Sequence, residues 1–233
     1  MEQFQLERIV EPLLSWYDAN ARILPWREQP TAYRVWVSEI MLQQTRVEAV
    51  KPYFARFMKA LPTVKKLAAC PEEELLKLWE GLGYYSRARN LQEAAKTIQN
   101  QFNGIFPQTY EEILSLKGIG PYTASAISSI AFQIPKGVVD GNVLRIFSRI
   151  YNDSSNIALE KTKKHYQTLC DTLIYKEDPS SFNQALMDLG ATICKPKGPL
   201  CDICPVASHC LAKKVNKQHT LPINIKKLKH QEV

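Results

Sequence analysis

The sequence predicts an all-α fold, and three observations support this. Apolar residues recur with helical spacing along most of the 233-residue chain, as they do at Ile9, Leu13 and Tyr17. The alternation of apolar and polar residues that is typical of strands is not convincing anywhere. The chain has nine glycines, well below the usual level of about 7%, whereas a sheet protein with many tight turns needs more.

About ten helices with short links follow from this periodicity. Local signals mark some of their ends: Thr109 and Glu112 form a capping-box pattern, Pro121 fits a first helical turn, and Asn103-Gly104 fits a helix end. The predicted helical segments are 6–17, 32–45, 47–61, 71–80, 86–101, 109–116, 121–132, 143–151, 160–175 and 179–193.

Composition and charge narrow the class of protein. Hydrophobic residues at 45% and charged residues at 23% exclude disordered, collagen-like and coiled-coil chains. No stretch resembles a membrane span, and the acidic N-terminus MEQFQLERIVE does not suit a signal peptide, so we expect a cytoplasmic protein.

The net charge of +7 comes mostly from a basic C-terminal tail, which suits either nucleic-acid binding or a solvated terminus. Its lysines are Lys213, Lys214, Lys217, Lys226, Lys227 and Lys229.

Four cysteines crowd into one short segment with the spacing C-x6-C-x2-C-x5-C. They are Cys194, Cys201, Cys204 and Cys210. Four thiolates in one loop indicate either a zinc ion or an iron–sulfur cluster, and spacing alone does not choose between them. A disulfide framework is disfavoured because nothing marks the chain as secreted.

Two lysines lie inside the same segment. Lys195 and Lys197 either reach a phosphate group or are simply solvated.

A tight Gly-x-Gly turn in LKGIGPYTASAI is predicted to join two helices. Gly118 and Gly120 permit backbone angles that other residues disfavour. The turn amides and the following helix N-terminus would make an anion site that holds a phosphate whatever the base sequence. An ordinary αα-hairpin explains the same pattern.

Two carboxylates stand out from their apolar surroundings. Glu39 interrupts the run VWVSEIML, so it either points to solvent or lines a cleft with a raised pKa. Asp140 in GVVDGNV fits a helix N-cap, or a carboxylate aimed into a cavity. One acid and one ionised stabiliser would suit cleavage through an oxocarbenium-like transition state.

Together these residues resemble a known family, the helix-hairpin-helix base-excision glycosylases, and within it the adenine DNA glycosylases of the MutY type. The resemblance follows the expected order along nearly the whole chain. The matching stretches are LPWR (24–27), WVSEIMLQQTRV (36–47), GLGYYSRARNL (81–91), VVDGNVLR (138–145) and FNQALMDLGATIC (182–194).

The resemblance implies a two-lobed fold with the active site between the lobes. Residues 29–136 would form a six-helix barrel domain with the hairpin. Residues 137–233, completed by 1–28, would form the domain whose four cysteines hold a [4Fe-4S] cluster. The family usually carries a further C-terminal domain that helps to recognise 8-oxoguanine, and this chain is expected to be the catalytic portion without it.

The resemblance also implies a reaction and the residues that perform it. Adenine mispaired with 8-oxoguanine or guanine in double-stranded DNA would be flipped out and removed. Glu39 matches the catalytic acid, Asp140 the stabiliser of the sugar cation, and Asn142 its partner in placing water. Tyr122 stands where strand-nicking relatives place a nucleophilic lysine, so a monofunctional glycosylase is implied.

Further positions match the family's contacts to DNA. Arg27, Leu42 and Gln184 match residues that line the adenine pocket, and Gln44 and Tyr84 match residues that wedge into the base stack. Gly118, Gly120, Lys195 and Lys197 would contact the backbone. A monomer working in the bacterial cytoplasm, at the nucleoid, is implied.

Two other functions stay open at the level of the sequence. One is a thymine-mismatch glycosylase of the same superfamily, which can also carry tyrosine at the position of Tyr122; MLQQT and GLGYY favour the adenine enzyme. The other is a non-catalytic, zinc-bearing nucleic-acid-binding module, which explains the cysteines and the tail but not Glu39 and Asp140 together.

Overall fold

A computed structural model describes residues 2–225, with side chains described from residue 7 onward. These residues form α-helices and two short 3₁₀-helices and contain no strand, which confirms the predicted all-α class. The α-helices are α1 (Glu2–Asn20), α2 (Ala32–Leu42), α3 (Val47–Ala60), α4 (Val64–Ala69), α5 (Glu72–Trp79), α6 (Ser86–Gln101), α7 (Tyr110–Ser115), α8 (Pro121–Phe132), α9 (Gly141–Tyr151), α10 (Glu160–Leu173), α11 (Pro179–Thr192) and α12 (Leu211–Lys214). The 3₁₀-helices cover Cys201–Ile203 and Ala207–His209.

Two sequence predictions, the basic tail and the absence of a membrane span, are compared with the described residues. The tail lysines Lys226, Lys227 and Lys229 lie outside the described residues. Within the described part of the chain, no helix is both long and apolar enough to cross a membrane.

The helix ends follow the local signals in most places. Helices α6 and α8 begin and end where the sequence predicts. Thr109 caps α7, where its hydroxyl oxygen accepts from the Glu112 amide at 3.3 Å. Helix α2 ends at Leu42, three residues before the predicted end, because Gln44 has a φ of 58° that no helix accommodates.

The chain divides into two compact units. The middle unit is Arg22–Ile134, and the terminal unit joins the segment up to Ala21 to the segment from Pro135 onward.

The terminal unit has its core between α1, α9, α10 and α11. Ile9 and Leu13 of α1 are fully buried against this core, and Phe147, Tyr166 and Phe182 fill its centre. All residues of α9 from 143 to 150 are buried, and they include two arginines as well as apolar residues. This core therefore fixes the helix that carries Asp140 at its start.

The middle unit is built on α2, which packs against α3 and α8, while α4 packs against α6. Large aromatic side chains fill it: Trp36 and Trp79 are fully buried, and Trp36 meets Phe106 edge to face with ring centroids 5.5 Å apart. Nine of the eleven residues of α2 are buried. Glu39, the one carboxylate of α2, is therefore surrounded by tightly packed side chains.

Candidate functional site

Asp140 is the N-cap of α9, and its carboxylate is held by three N–H donors. The Oδ1 atom accepts from the backbone amides of Asn142 at 2.8 Å and Val143 at 2.9 Å. The Oδ2 atom accepts from the Asn142 side-chain amide at 2.7 Å. The carboxylate is partly exposed and is fixed in one orientation at the positive end of a helix.

Asn142 connects Asp140 to the rest of the terminal unit. Its Oδ1 atom accepts from Nη2 of Arg145 at 2.8 Å. The same guanidinium donates to the Gly190 carbonyl at 2.8 Å and to the Cys194 carbonyl at 2.7 Å. Burial lowers the pKa of Arg145 from its ordinary value, yet an arginine stays protonated in proteins. A full positive charge therefore connects Asn142 to the cysteine segment.

Gly190 of α11 leaves the space that the Asn142 side chain occupies. A Cβ atom at position 190 would lie 2.4 Å from the Asn142 Cβ and 2.9 Å from its Cγ. Such distances do not occur between real side chains, so any other residue here must displace Asn142 or α11. No pattern in the sequence predicts this role, because a glycine within a helix does not indicate which residue it faces.

The four predicted ligand cysteines line one small cavity of about 20 Å³. Its wall also contains apolar side chains, among them Ile146, Leu189 and Val206. Arg149 of α9 reaches this wall, where its Nη1 donates to the Cys194 sulfur at 3.3 Å and to the Lys195 carbonyl at 2.8 Å. The cysteines are thus brought together, and a buried cation faces them.

All four thiols are free, with no disulfide among the described cysteines. Burial raises the pKa of the Cys201, Cys204 and Cys210 thiols, that of Cys204 to about 12. No group of three or more His, Cys, Asp or Glu side chains within residues 2–225 is placed to hold one metal ion. The arrangement is one of four sulfurs around a shared space.

Glu39 is buried in the middle unit, with 7% of its surface exposed. It lies in the third turn of α2, among buried apolar residues such as Val35 and Ile40. The structure therefore excludes the solvent-facing alternative for this carboxylate. Leu42 ends the same helix and is partly exposed, and Arg27 is partly exposed in the segment before α2.

The hairpin between α7 and α8 forms, but of its two glycines only Gly118 takes backbone angles that other residues disfavour, since Gly120 has a φ of −96°. Gly118 has a φ of 80°, and a Cβ there would lie 2.8 Å from the Asn90 Cβ, so the turn sits directly on α6. Gly120 caps α8, and a Cβ there would meet open space. Tyr122 follows in the first turn of α8 and is partly exposed.

The remaining predicted DNA contacts lie at the surface of their units. Gln44 is exposed, and Tyr84 is 64% exposed, a large fraction for an aromatic side chain. Lys197 is exposed and Lys195 is partly exposed.

Gln184 is buried and donates to the Ser180 hydroxyl at 2.9 Å. It belongs to the terminal unit, like Asp140, whereas Glu39 and Tyr122 belong to the middle unit. That these residues serve one active site stays a prediction.

The chain belongs to the HhH-GPD superfamily of base excision DNA repair proteins, whose pattern it matches over residues 37–172.

Among curated proteins, it is 46% identical over 209 residues to the adenine DNA glycosylase of Rattus norvegicus, covering 86% of this chain and 40% of the rat protein. It is 44% identical over 218 residues to that of Homo sapiens, covering 90% and 40% of the two chains. For Buchnera aphidicola subsp. Baizongia pistaciae the identity is 42% over 223 residues, covering 91% and 63%. The chain thus spans about two fifths of the mammalian relatives' length.

Solved structures agree on the fold. A thermostable thymine-DNA glycosylase superposes with a TM-score of 0.82 at 28% identity, covering 91% of this chain and 97% of the other. Endonuclease III in a non-covalent complex with DNA superposes with a TM-score of 0.77 at 23% identity, covering 93% and 98%. The second likeness concerns the fold alone.

The contact between Gly190 and Asn142 generates a first prediction. Gly190→Ala should lower the free energy of unfolding by about 1–3 kcal/mol, the usual cost of overpacking a well-packed site. Denaturant unfolding measures this. Gly141→Ala is the matched control, because a Cβ at position 141 meets nothing within 4 Å. Equal stability of the two variants would show that Asn142 does not need the space at Gly190.

Proposed function

We propose that this chain is a monofunctional DNA glycosylase that removes adenine mispaired with 8-oxoguanine or guanine. The observation that carries the proposal is its similarity to the rat, human and Buchnera adenine DNA glycosylases over most of its length. Double-stranded DNA would be the partner and a monomer the working form. We further propose that the substrate is this particular mispair and that the protein works in bacteria, at the nucleoid. Neither point follows from family membership.

The reaction requires the base outside the helix. An adenine stacked inside a duplex cannot be reached by a side chain, so the nucleotide must be flipped into a pocket. Arg27, Leu42 and Gln184 would line that pocket. The exposed Gln44 and Tyr84 would fill the disturbed stack, and the hairpin with Gly118 and Gly120 would hold a backbone phosphate through its amides.

Glu39 would act as the general acid. Protonation of adenine at N7 turns a poor leaving group into a good one, and a carboxyl group within hydrogen-bond reach can supply that proton. The burial of Glu39 supports this role, because an acid enclosed by protein acts on the base without exchange with bulk water.

Asp140 would stabilise the positive charge that grows on the sugar as the C–N bond breaks. Its three contacts all come from N–H donors, so both carboxylate oxygens act as acceptors in a fixed orientation. A negative charge that is already oriented needs no rearrangement at the moment of reaction. Asn142, bonded to the same carboxylate, would help to place the water that attacks the sugar.

We infer that the four cysteines hold a [4Fe-4S] cluster. One zinc ion requires four sulfurs converging at about 2.3 Å, whereas a polynuclear cluster needs cysteines distributed around a larger space. The four cysteines line one cavity, which suits thiolate ligation, and membership of the HhH-GPD superfamily favours the cluster over a single zinc ion. A bound cluster would cross-link the segment 194–210, and that segment would then present Lys195 and Lys197 to DNA phosphates.

The general acid gives the decisive experiment. Glu39→Gln keeps the size and polarity of the side chain but cannot donate the proton, so single-turnover excision of adenine should fall by about 10²–10⁴-fold. The assay uses duplexes with A or T opposite 8-oxoguanine or guanine, and mispair binding should survive. Exposed Glu73→Gln is the control and should keep wild-type rates. Excision of thymine rather than adenine would overturn the proposed specificity, and near-normal excision by Glu39→Gln would overturn the assignment of the acid.

The role of Tyr122 concerns strand cleavage. A phenol cannot form an imine with the sugar aldehyde, so the wild-type protein should leave alkali-labile sites without nicking the strand. In Tyr122→Lys the amine should produce measurable cleavage and a borohydride-trapped adduct while adenine is still removed, because an amine forms an imine with the sugar aldehyde.

Tyr122→Phe is the control, since it lacks both the phenol and the amine and should behave as the wild type. A lysine variant that removes adenine yet gives neither cleavage nor adduct would show that Tyr122 does not occupy the nucleophile's place.

The cluster proposal is tested by iron content. Cys201→Ser should lose iron and visible colour and should unfold more readily, because metal binding and folding are coupled in thiolate sites. Cys70→Ser is the control, since Cys70 lies in the middle unit and should leave the iron content unchanged. A colourless wild-type protein with one zinc per chain would contradict the cluster.

A further inference from the structure

Two exposed loops of the middle unit carry a residue in the left-handed backbone region. Gln44, which follows α2, has a φ of 58°, and Tyr84, which precedes α6, has a φ of 48°. Neither is a glycine, and such conformations are uncommon for other residues. They persist where the surrounding structure imposes them, and they often mark functional segments.

One side chain reaches the backbone of both loops. Nη1 of Arg87 donates to the Gln43 carbonyl at 2.6 Å, to that of Ile40 at 2.8 Å and to that of Met41 at 3.2 Å. These carbonyls lie at the end of α2, where the helix leaves its last oxygens without internal partners. The guanidinium therefore closes the helix immediately before Gln44.

The other terminal nitrogen of the Arg87 guanidinium binds the loop that contains Tyr84. Nη2 of Arg87 donates to the Leu82 carbonyl at 3.1 Å and to the Gly83 carbonyl at 3.2 Å. The indole nitrogen of Trp79 also donates to the Gly83 carbonyl, at 3.1 Å. The Arg87 guanidinium lies 5.6 Å from the centre of the Tyr84 ring and 5.5 Å from that of Trp79, within the range of a cation–π attraction.

The geometry suits arginine and no other residue. A guanidinium offers several donors in a rigid plane, so it can bind two separate sets of carbonyls at once, whereas a lysine ammonium is a single point on a flexible stem. Arg87 sits in the first turn of α6, where a positive charge is unfavourable. The five carbonyl contacts offset that cost.

We propose that Arg87 is a positioning residue that fixes Gln44 and Tyr84 relative to one another, so that both enter the base stack together. The proposal rests on the proposed function for the roles of Gln44 and Tyr84 on DNA. Its structural half, the joint fixing of two loops by one side chain, does not.

The structural half is tested without DNA by hydrogen exchange of the whole chain. Arg87→Lys should raise exchange by about tenfold or more at the amides of residues 43–46 and of 82–85, since the loss of one charge-assisted hydrogen bond is worth about that much. Arg89→Lys is the matched control, because Arg89 lies on the same helix and donates to the exposed Glu72 carboxylate. It should leave both segments unchanged.

Two outcomes of this experiment would overturn the proposal. One is a change in only one of the segments, or in neither. The other is an equal rise in both loops and in the buried amides of α8, which would show that Arg87 supports the fold in general rather than these loops.

The DNA half uses single-turnover excision with two substrates. Arg87→Lys should slow removal of adenine opposite guanine by about tenfold or more, and should slow removal of adenine opposite an abasic site much less, because that adenine is already unpaired. In a Gln44→Ala, Tyr84→Ala background the arginine substitution should add little, since residues that act together are not additive. A full additional loss in that background would overturn the proposal.

The exchange test and the DNA test together distinguish a failure of the proposed function from a failure of the role of Arg87. If the wild-type protein removes no adenine from any duplex, the proposed function is wrong, and the exchange experiment alone decides whether Arg87 fixes the loops. If adenine is removed at wild-type rates by the Gln44→Ala, Tyr84→Ala protein, the wedge roles are wrong and so is the DNA half of the proposal.

Discussion

Backbone carbonyl groups at helix ends and between helices need donors, and in both units arginine side chains supply several of them. A buried carbonyl without a partner is costly. The segments between the helices contain many carbonyl groups that have no partner within a helix. Arg87 serves five carbonyls in the middle unit. Arg145 and Arg149 of α9 serve the segment around Cys194 in the terminal unit. The parts proposed to contact DNA or the cluster are thus irregular in backbone yet firmly held.

This constraint explains which features could be predicted from the sequence. Helices with a long apolar face, such as α6 and α8, are predicted to the residue, because burial and end signals agree. The six-residue α4 was not predicted, since one and a half turns give too little periodicity. Thr109 and Asp140 were predicted as caps because their chemistry is local.

The contacts of the site could be predicted only in part. The sequence placed Asn142 next to Asp140 but gave no reason to expect Gly190 beside it, 48 positions along the chain, because no local pattern encodes that contact. Arg145 and Arg149 lie four residues apart in the buried stretch of α9, an unusual place for two cations, and that spacing was a usable signal. For Glu39 the apolar run left two alternatives, and burial decides between them.

The capping role of Asp140 has a consequence for how its variants are interpreted. Asparagine is as good an N-cap as aspartate, whereas alanine forfeits about 0.5–2 kcal/mol of stability at such a position. An alanine variant therefore removes a charge and loosens the start of α9 in the same step, so its inactivity has two causes. The asparagine variant keeps one side-chain oxygen to cap the helix start, and it replaces the charge and the second acceptor, which faces the Asn142 side-chain amide, by an NH2 group. At this position the residue that anchors the helix is also the one proposed to face the sugar cation, so architecture and chemistry are encoded in a single side chain.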